Sequence, residues 1–232
     1  MITYKVGKYL ASDSMSELIC DNYPMLLVMS RFGIDLGFGE DSIEEVCQKS
    51  GVDLYTFLSV VNILISADKR SIKIDYEQIS LSSLIQYLHN SHSYFLEYRL
   101  PSIRQKLIES IDSNDDVSVV IVNYYDEYVS EVNKHMMYEE NTLFPYIKSV
   151  ICGSTEERYS IEVYSEHHDK VEAKLSELKS IIIKYYPAKT TNELNSTLYD
   201  IFSCERDLSS HSYIEDYLLV PTMKAIETTK KR

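Results

Sequence analysis

Across the C-terminal two thirds of the chain, apolar and polar residues never settle into the two-residue alternation of a half-buried strand, despite many tyrosines and isoleucines. Five of the six glycines fall by position 51, which leaves Gly153 as the lone glycine in the later part and suits long helices there. The pattern predicts an all-α fold. Four long helices are expected, from about Ser82 to Ile111, Val117 to Ile151, Thr155 to Tyr185 and Asn192 to Thr228. Asp112-Ser113-Asn114-Asp115, Cys152-Gly153-Ser154 and Tyr186-Pro187-Ala188 read as the turns between them. Pro101, Pro145 and Pro221 lie inside predicted helices and are expected to kink them. Short connections between long helices favour antiparallel neighbours, hence an up-down-up-down four-helix bundle over residues 76–232.

Residues 1–75 read differently, as a small helical accessory domain of short helices and tight turns. Phe32 to Gly39 is punctuated by three glycines, and Asp41-Ser42-Ile43-Glu44 reads as a capping box entering Glu45-Val46-Cys47. Asp53 is placed to cap the helix that follows. The polar stretch Asp68 to Asp75 is the expected domain boundary.

A 232-residue chain with 44% hydrophobic residues can bury a substantial core. Its net charge of −13 disfavours nucleic acid and anionic membrane surfaces as partners. No apolar run approaches the roughly 20 residues of a spanning helix, and Met1 to Lys5 lacks the apolar stretch of a signal peptide. A soluble, cytoplasmic protein is expected. Cys20, Cys47, Cys152 and Cys204 are scattered without a C-x-x-C pair, so they are read as reduced residues, partly buried.

The histidines carry the candidate chemistry. His92 to His135 is 43 residues, and His168 to His211 is again 43. The second histidine of each pair is followed four residues later by a glutamate, Glu139 and Glu215, and ten residues later by a proline, Pro145 and Pro221. A 43-residue step takes the chain about 20 residues away and about 20 back, or roughly 30 Å each way at 1.5 Å per residue. The midpoints of all three intervals between these histidines fall at or beside the predicted turns, so the four can share one layer of an antiparallel bundle.

Residues four apart lie on one helix face, so His135 with Glu139 and His211 with Glu215 project together. Imidazole gives one nitrogen to one cation, whereas a carboxylate can bridge two. His92, His135, Glu139, His168, His211 and Glu215 therefore suit a pair of metals joined by the two glutamates. Nitrogen and oxygen donors without thiolate fit iron first, then manganese or zinc. An oxo or hydroxo bridge would complete much of each shell and leave room for a small exogenous ligand. Glu131 and Glu172, each four residues from a predicted ligand, are outer-shell candidates or ordinary solvated acids. His89 and His167 remain alternatives to His92 and His168, and His89 could add a fifth histidine.

At these residues the chain resembles the hemerythrin-like di-iron proteins, and more closely the repair-of-iron-centres family. His135 to Pro145 matches the family segment His-Met-Met-x-Glu-Glu-x-x-Leu-Phe-Pro. Glu166-His167-His168-Asp169 matches its third-helix Glu-His-Asp segment, and His211, Glu215 and Pro221 match its last helix. His92 precedes Leu100-Pro101, although the family register puts the ligand one position later, at Ser93. The Gly33 to Gly39 run is similar to the family's accessory domain, with Gly37 and Phe38 where that domain has Cys-Cys. The resemblance implies a pair of iron ions and a role in nitrosative or oxidative stress, in which damaged iron–sulfur proteins are restored, with iron supply as the route. The competing expectation is a sensor or store that binds O2, NO or peroxide, or an iron store without repair activity; a metal-free helical interaction module is the third.

Overall fold

The computed structural model of the chain describes residues 9–66, 72–112, 116–153, 159–167, 172–186 and 191–230. In chain order these form α1 (Met15–Asp21), α2 (Met25–Arg31), α3 (Ile43–Ser50), α4 (Leu54–Ile65), a single 3-10 turn (Tyr76–Gln78) and α5 (Leu81–Ser93). There follow a π-helical segment π1 (Tyr94–Arg99), α6 (Leu100–Ser110), α7 (Asp116–Tyr138), π2 (Glu139–Leu143) and α8 (Phe144–Ile151). Last come α9 (Ile161–His167), α10 (Glu172–Tyr185), α11 (Asn192–Ile214), π3 (Glu215–Leu219) and α12 (Val220–Lys230). Among the described residues there is no strand, as the absence of alternation predicted, and no helix is long and apolar enough to cross a membrane.

The first, second and fourth predicted long helices appear as the continuous runs 81–110, 116–151 and 192–230, each interrupted by one π segment. The third starts later than expected, because Tyr159 and Ser160 are not helical and α9 opens at Ile161. There the Ile161 amide donates to Glu227 Oε1 at 3.0 Å, so a carboxylate from a distant helix satisfies the new N-terminus. The predicted start at Thr155, the turn residues Ser113, Asn114, Asp115, Ser154, Pro187 and Ala188, and Asp68 to Ser71 of the boundary stretch lie outside the described residues.

The chain divides into two compact units. The first comprises the described residues of Met1–Ser91, Ile147–Glu162 and Tyr213–Arg232. Its N-terminal helices form where their caps dictate. Ser42 caps α3 by accepting from Glu45 N–H at 3.3 Å while Glu45 Oε2 accepts from Ser42 N–H at 2.8 Å, which places the capping box at Ser42 and Glu45, one residue later than read from sequence. These bonds to its charged form hold the Glu45 carboxyl below the usual carboxylate range. Asp53 caps α4 as expected, accepting from Thr56 N–H at 2.8 Å. Inside, Phe32 meets the Phe57 ring edge-on at 5.3 Å and Tyr87 of α5 at 4.9 Å. The Asn90 side chain donates to the Arg31 carbonyl, and Thr56 Oγ1 accepts from Ser80 N–H, both at 2.8 Å, so the N-terminal helices pack directly along α5. Cys47 is buried here and burial pushes its thiol up to about 12, which removes thiolate chemistry.

The second unit comprises the described residues of His92–Tyr146 and Val163–Ser212. Ile121, Tyr125, Tyr128, Val132 and Met136 recur every three or four residues and make one buried stripe of α7. It packs on Leu100, Ile103 and Leu107 of α6, Leu175, Leu178 and Ile182 of α10, and Ile201, Cys204 and Leu208 of α11. Met137, in contrast, is exposed. Outside this core, polar pairs report the helix order. Arg104 joins Asp126 (α6 to α7), Glu131 joins Lys174 (α7 to α10), Lys179 joins Glu205 (α10 to α11), and Arg99 and Lys106 share Asp200 across π1, α6 and α11. The ring of neighbours is closed. Tyr124 meets Glu177 whereas Glu131 meets Lys174, so residue numbers rise along α7 as they fall along α10, the antiparallel sense. The exposed pairs among them, Arg104 with Asp126 and Lys174 with Glu131, add little stability singly, and burial of the stripes supplies most of it.

Replacing Leu178, fully buried in this core, by alanine is expected to lower unfolding stability by roughly 2–5 kcal/mol. Tyr199→Ala, at a residue 67% exposed, should change it by about 0.5 kcal/mol or less. Urea unfolding followed by circular dichroism measures both.

Candidate metal centre

Each of the three continuous helices carries a ligand-type residue beside its π segment: His92 two residues before π1, Glu139 at the start of π2, and Glu215 at the start of π3. In all three the amide that closes the wide turn bonds five residues back, Leu100 to Phe95, Phe144 to Glu139, and Val220 to Glu215. The next residue is a proline every time, Pro101, Pro145 and Pro221. Proline has no amide hydrogen, and its ring presses on the carbonyl four residues back, so a wider turn just upstream relieves the conflict. One inserted residue also rotates the helix face by about 100°. The predicted kink sites are thus places where the helix widens next to a candidate ligand.

Glu139 is the hub of the arrangement. Its carboxylate is fully buried, with Oε2 3.0 Å from His92 Nε2 and Oε1 3.3 Å from His135 Nε2, so each oxygen faces a different histidine. The Tyr164 hydroxyl donates to Oε1. His92 is gripped on its other side as well, with Nδ1 2.7 Å from Glu140 Oε1. Its ring stacks on Phe144 at 5.4 Å and 5°, and meets His211 edge-on at 5.1 Å, while Phe95 meets His211 at 5.9 Å. Glu215 follows one helical turn after His211 and is also fully buried.

One ligand-type atom from each of His92, Glu139, His211 and Glu215 lies within 4.8 Å of the others. Nitrogen and oxygen donors sit roughly 2.0–2.2 Å from a transition-metal ion, so donors around one ion are at most about 4.4 Å apart. The observed spread is close to that. Burying two carboxylates is unfavourable unless positive charge compensates, and the donor set here, imidazole with carboxylate and no thiolate, suits a cation. The residues therefore fit a metal centre.

Of the six residues predicted from spacing, four form this group and His135 stands against Glu139. His168 lies outside the described residues, as do the side chains of Glu166, His167 and Glu172. His89, kept open as a fifth ligand, is exposed and takes no part in the group, whereas His92 is buried in it. Glu131, considered as a guide for metal or protons, is instead a half-exposed partner of Lys174. It lies on the surface because α7 turns its 121–136 stripe, not position 131, inward.

Two residues at the site escaped the reading of the sequence. Glu140 orients His92 through Nδ1, the usual task of a carboxylate behind a ligating histidine. Its signal was present, since the repeat aligns Glu139-Glu140 with Glu215-Asp216. Tyr164, on α9, precedes His168 by four residues in the sequence, the one signal that could have pointed to it.

The hemerythrin HHE cation-binding domain family matches residues 83–223, a span that contains His92, His135, Glu139, His211 and Glu215. Among curated proteins none matches the chain. With more than half of its length inside that match, and with a buried His/Glu group suited to a cation, the chain belongs to the hemerythrin HHE cation-binding family and is a metal-binding, hemerythrin-like helical protein.

Proposed function

We propose that the chain holds a pair of iron ions with an oxo or hydroxo bridge, and that it serves in the cytoplasm to restore iron–sulfur centres damaged under nitrosative or oxidative stress by donating iron to them. The ligands in this reading are His92, His135, Glu139, His168, His211 and Glu215. The observation that carries it is the placement of Glu139, one oxygen toward His92 and the other toward His135. A carboxylate turned in this way suits bridging between metals. When bound, such a pair supplies exchangeable iron and open positions for a small diatomic or peroxide ligand.

The residues of the chain govern access to that chemistry. His92 and Glu139 have side chains 3% and 0% exposed, whereas His135 is 11% exposed. Water and chelating thiols therefore reach the His135 side first, which suits release of metal without unfolding of the helices. The same burial keeps water from His92, and Glu140 fixes the tautomer that leaves Nε2 facing Glu139.

Residues 1–75 are read as an accessory domain without its Cys-Cys pair, and 76–232 as the metal-binding bundle. All the proposed ligands lie after residue 91. A fragment from Tyr76 is expected to keep its iron but to unfold at lower urea concentration, because Tyr87 loses the cover of Arg31 and Phe32. Loss of iron from a fragment that stays helical would give the N-terminal helices a place in the site.

Protein purified without oxygen is expected to carry about two irons per chain, and Glu139→Ala or Glu215→Ala to lower that to below one, by metal analysis. Full iron content in the double alanine variant rejects these ligands. For the repair role, the reduced protein should transfer iron to an apo iron–sulfur acceptor, with thiol and sulfide present, faster than an iron salt at equal concentration. Slower transfer, together with a stable and reversible oxygen adduct, assigns the chain to gas binding or storage instead.

A further inference from the structure

We propose that Tyr164 is a positioning residue of the metal centre, its hydroxyl holding the Glu139 carboxylate in the plane that turns one oxygen to His92 and the other to His135. The proposal rests on the metal reading above and adds to it a residue outside the predicted ligand set.

The terminal torsion of a glutamate is soft and broad, so nothing within Glu139 itself dictates which way its oxygens face. Three helices meet at this one carboxylate. His92 comes from α5, His135 from α7, and Tyr164, only 1% exposed, from α9. The phenol donates to Oε1, on the His135 side, and leaves Oε2 directed at His92 Nε2. A hydroxyl bonded to a carboxylate is among the stronger hydrogen bonds, and inside a buried site it resists rotation of the group.

The chemistry of the donor matters as much as its place. Lysine or arginine here would also fix the carboxylate, but their charge would neutralise it and compete with a cation. A phenol restrains the group while leaving it anionic, and Oε1 keeps lone-pair capacity for a metal.

Tyr125 provides an internal control. It too is a fully buried tyrosine of the same unit, but its hydroxyl donates to the Leu100 backbone carbonyl at 2.8 Å, and it touches none of the ligand group. Tyr125→Phe and Tyr164→Phe each remove one buried hydroxyl and keep the ring. A tyrosine that only fills the core would make the two variants alike.

The test uses the full chain loaded with cobalt(II) as a spectroscopic probe, with affinity taken from chelator competition and stability of the metal-free protein from urea unfolding. Tyr164→Phe is expected to bind cobalt about tenfold more weakly and to alter its visible absorption, the size seen when a group behind a ligand is removed. Tyr125→Phe should lose stability yet keep wild-type affinity and spectrum. Wild-type affinity and spectrum in Tyr164→Phe, or equal losses in both variants, overturn the positioning role while the metal reading stands. Failure of the wild-type chain to bind either cobalt or iron overturns both. Should Tyr164→Phe not fold, 3-fluorotyrosine at position 164 keeps the ring with a stronger donor; a shifted cobalt spectrum supports the proposal and an unchanged one rejects it.

Discussion

A fully buried carboxylate is among the less favourable things a helical core can contain, and Glu139 is one, set between two histidines and a tyrosine. Its neighbours are of kinds that can offset a buried negative charge, by hydrogen bonding or by a shared cation. Much of the local architecture follows from that need. His92 is held at both nitrogens by carboxylates, the flanking aromatic rings of Phe144 and Phe95 exclude water, and Tyr164 brings α9 to the same point. A shell of this kind makes little sense as packing alone, since an apolar residue of the same volume would be less demanding.

The π segments connect this shell to the backbone. They recur in the same relation to a proline, and close to a ligand-type residue, in three separate helices, which is a structural repeat that the helical periodicity does not require. Proline at 101, 145 and 221 removes an amide donor directly after the residue that closes each wide turn. The helix widens rather than breaking, because the turns on either side are anchored by buried stripes. The consequence is local. A face that would otherwise drift out of the core is re-aimed within one turn of the site.

Outside the ligand group, the two units show how differently helices of unequal length are secured. The short N-terminal helices rely on explicit caps at Ser42 and Asp53 and on aromatic contacts among Phe32, Phe57 and Tyr87. Helices of seven to twelve residues gain little from propensity alone, so their ends and contacts decide whether they form. The long helices of the second unit carry continuous apolar stripes and use surface pairs such as Arg104 with Asp126 for register rather than for stability.

Helix class, the order of the four long helices and the His-x-x-x-Glu frames were legible in the chain, because periodicity, caps and i to i+4 spacing are local properties of consecutive residues. Equal 43-residue intervals pointed to His92, with His89 left as the alternative, because an antiparallel turn converts sequence distance into height along a bundle. Local information stops at the faces of single helices. Glu140 meets His92 across 48 residues and Tyr164 meets Glu139 across 25, and these pairings depend on the rotation and axial offset of whole helices. The N-terminus of α9 at Ile161 and the pairing of Glu131 likewise involve partners elsewhere, Glu227 and Lys174. The sequence by itself therefore determined which residues had the chemistry and on which helix they stood. Only tertiary packing decided which oxygen faces which histidine, because that choice belongs to contacts between helices and not to any one of them.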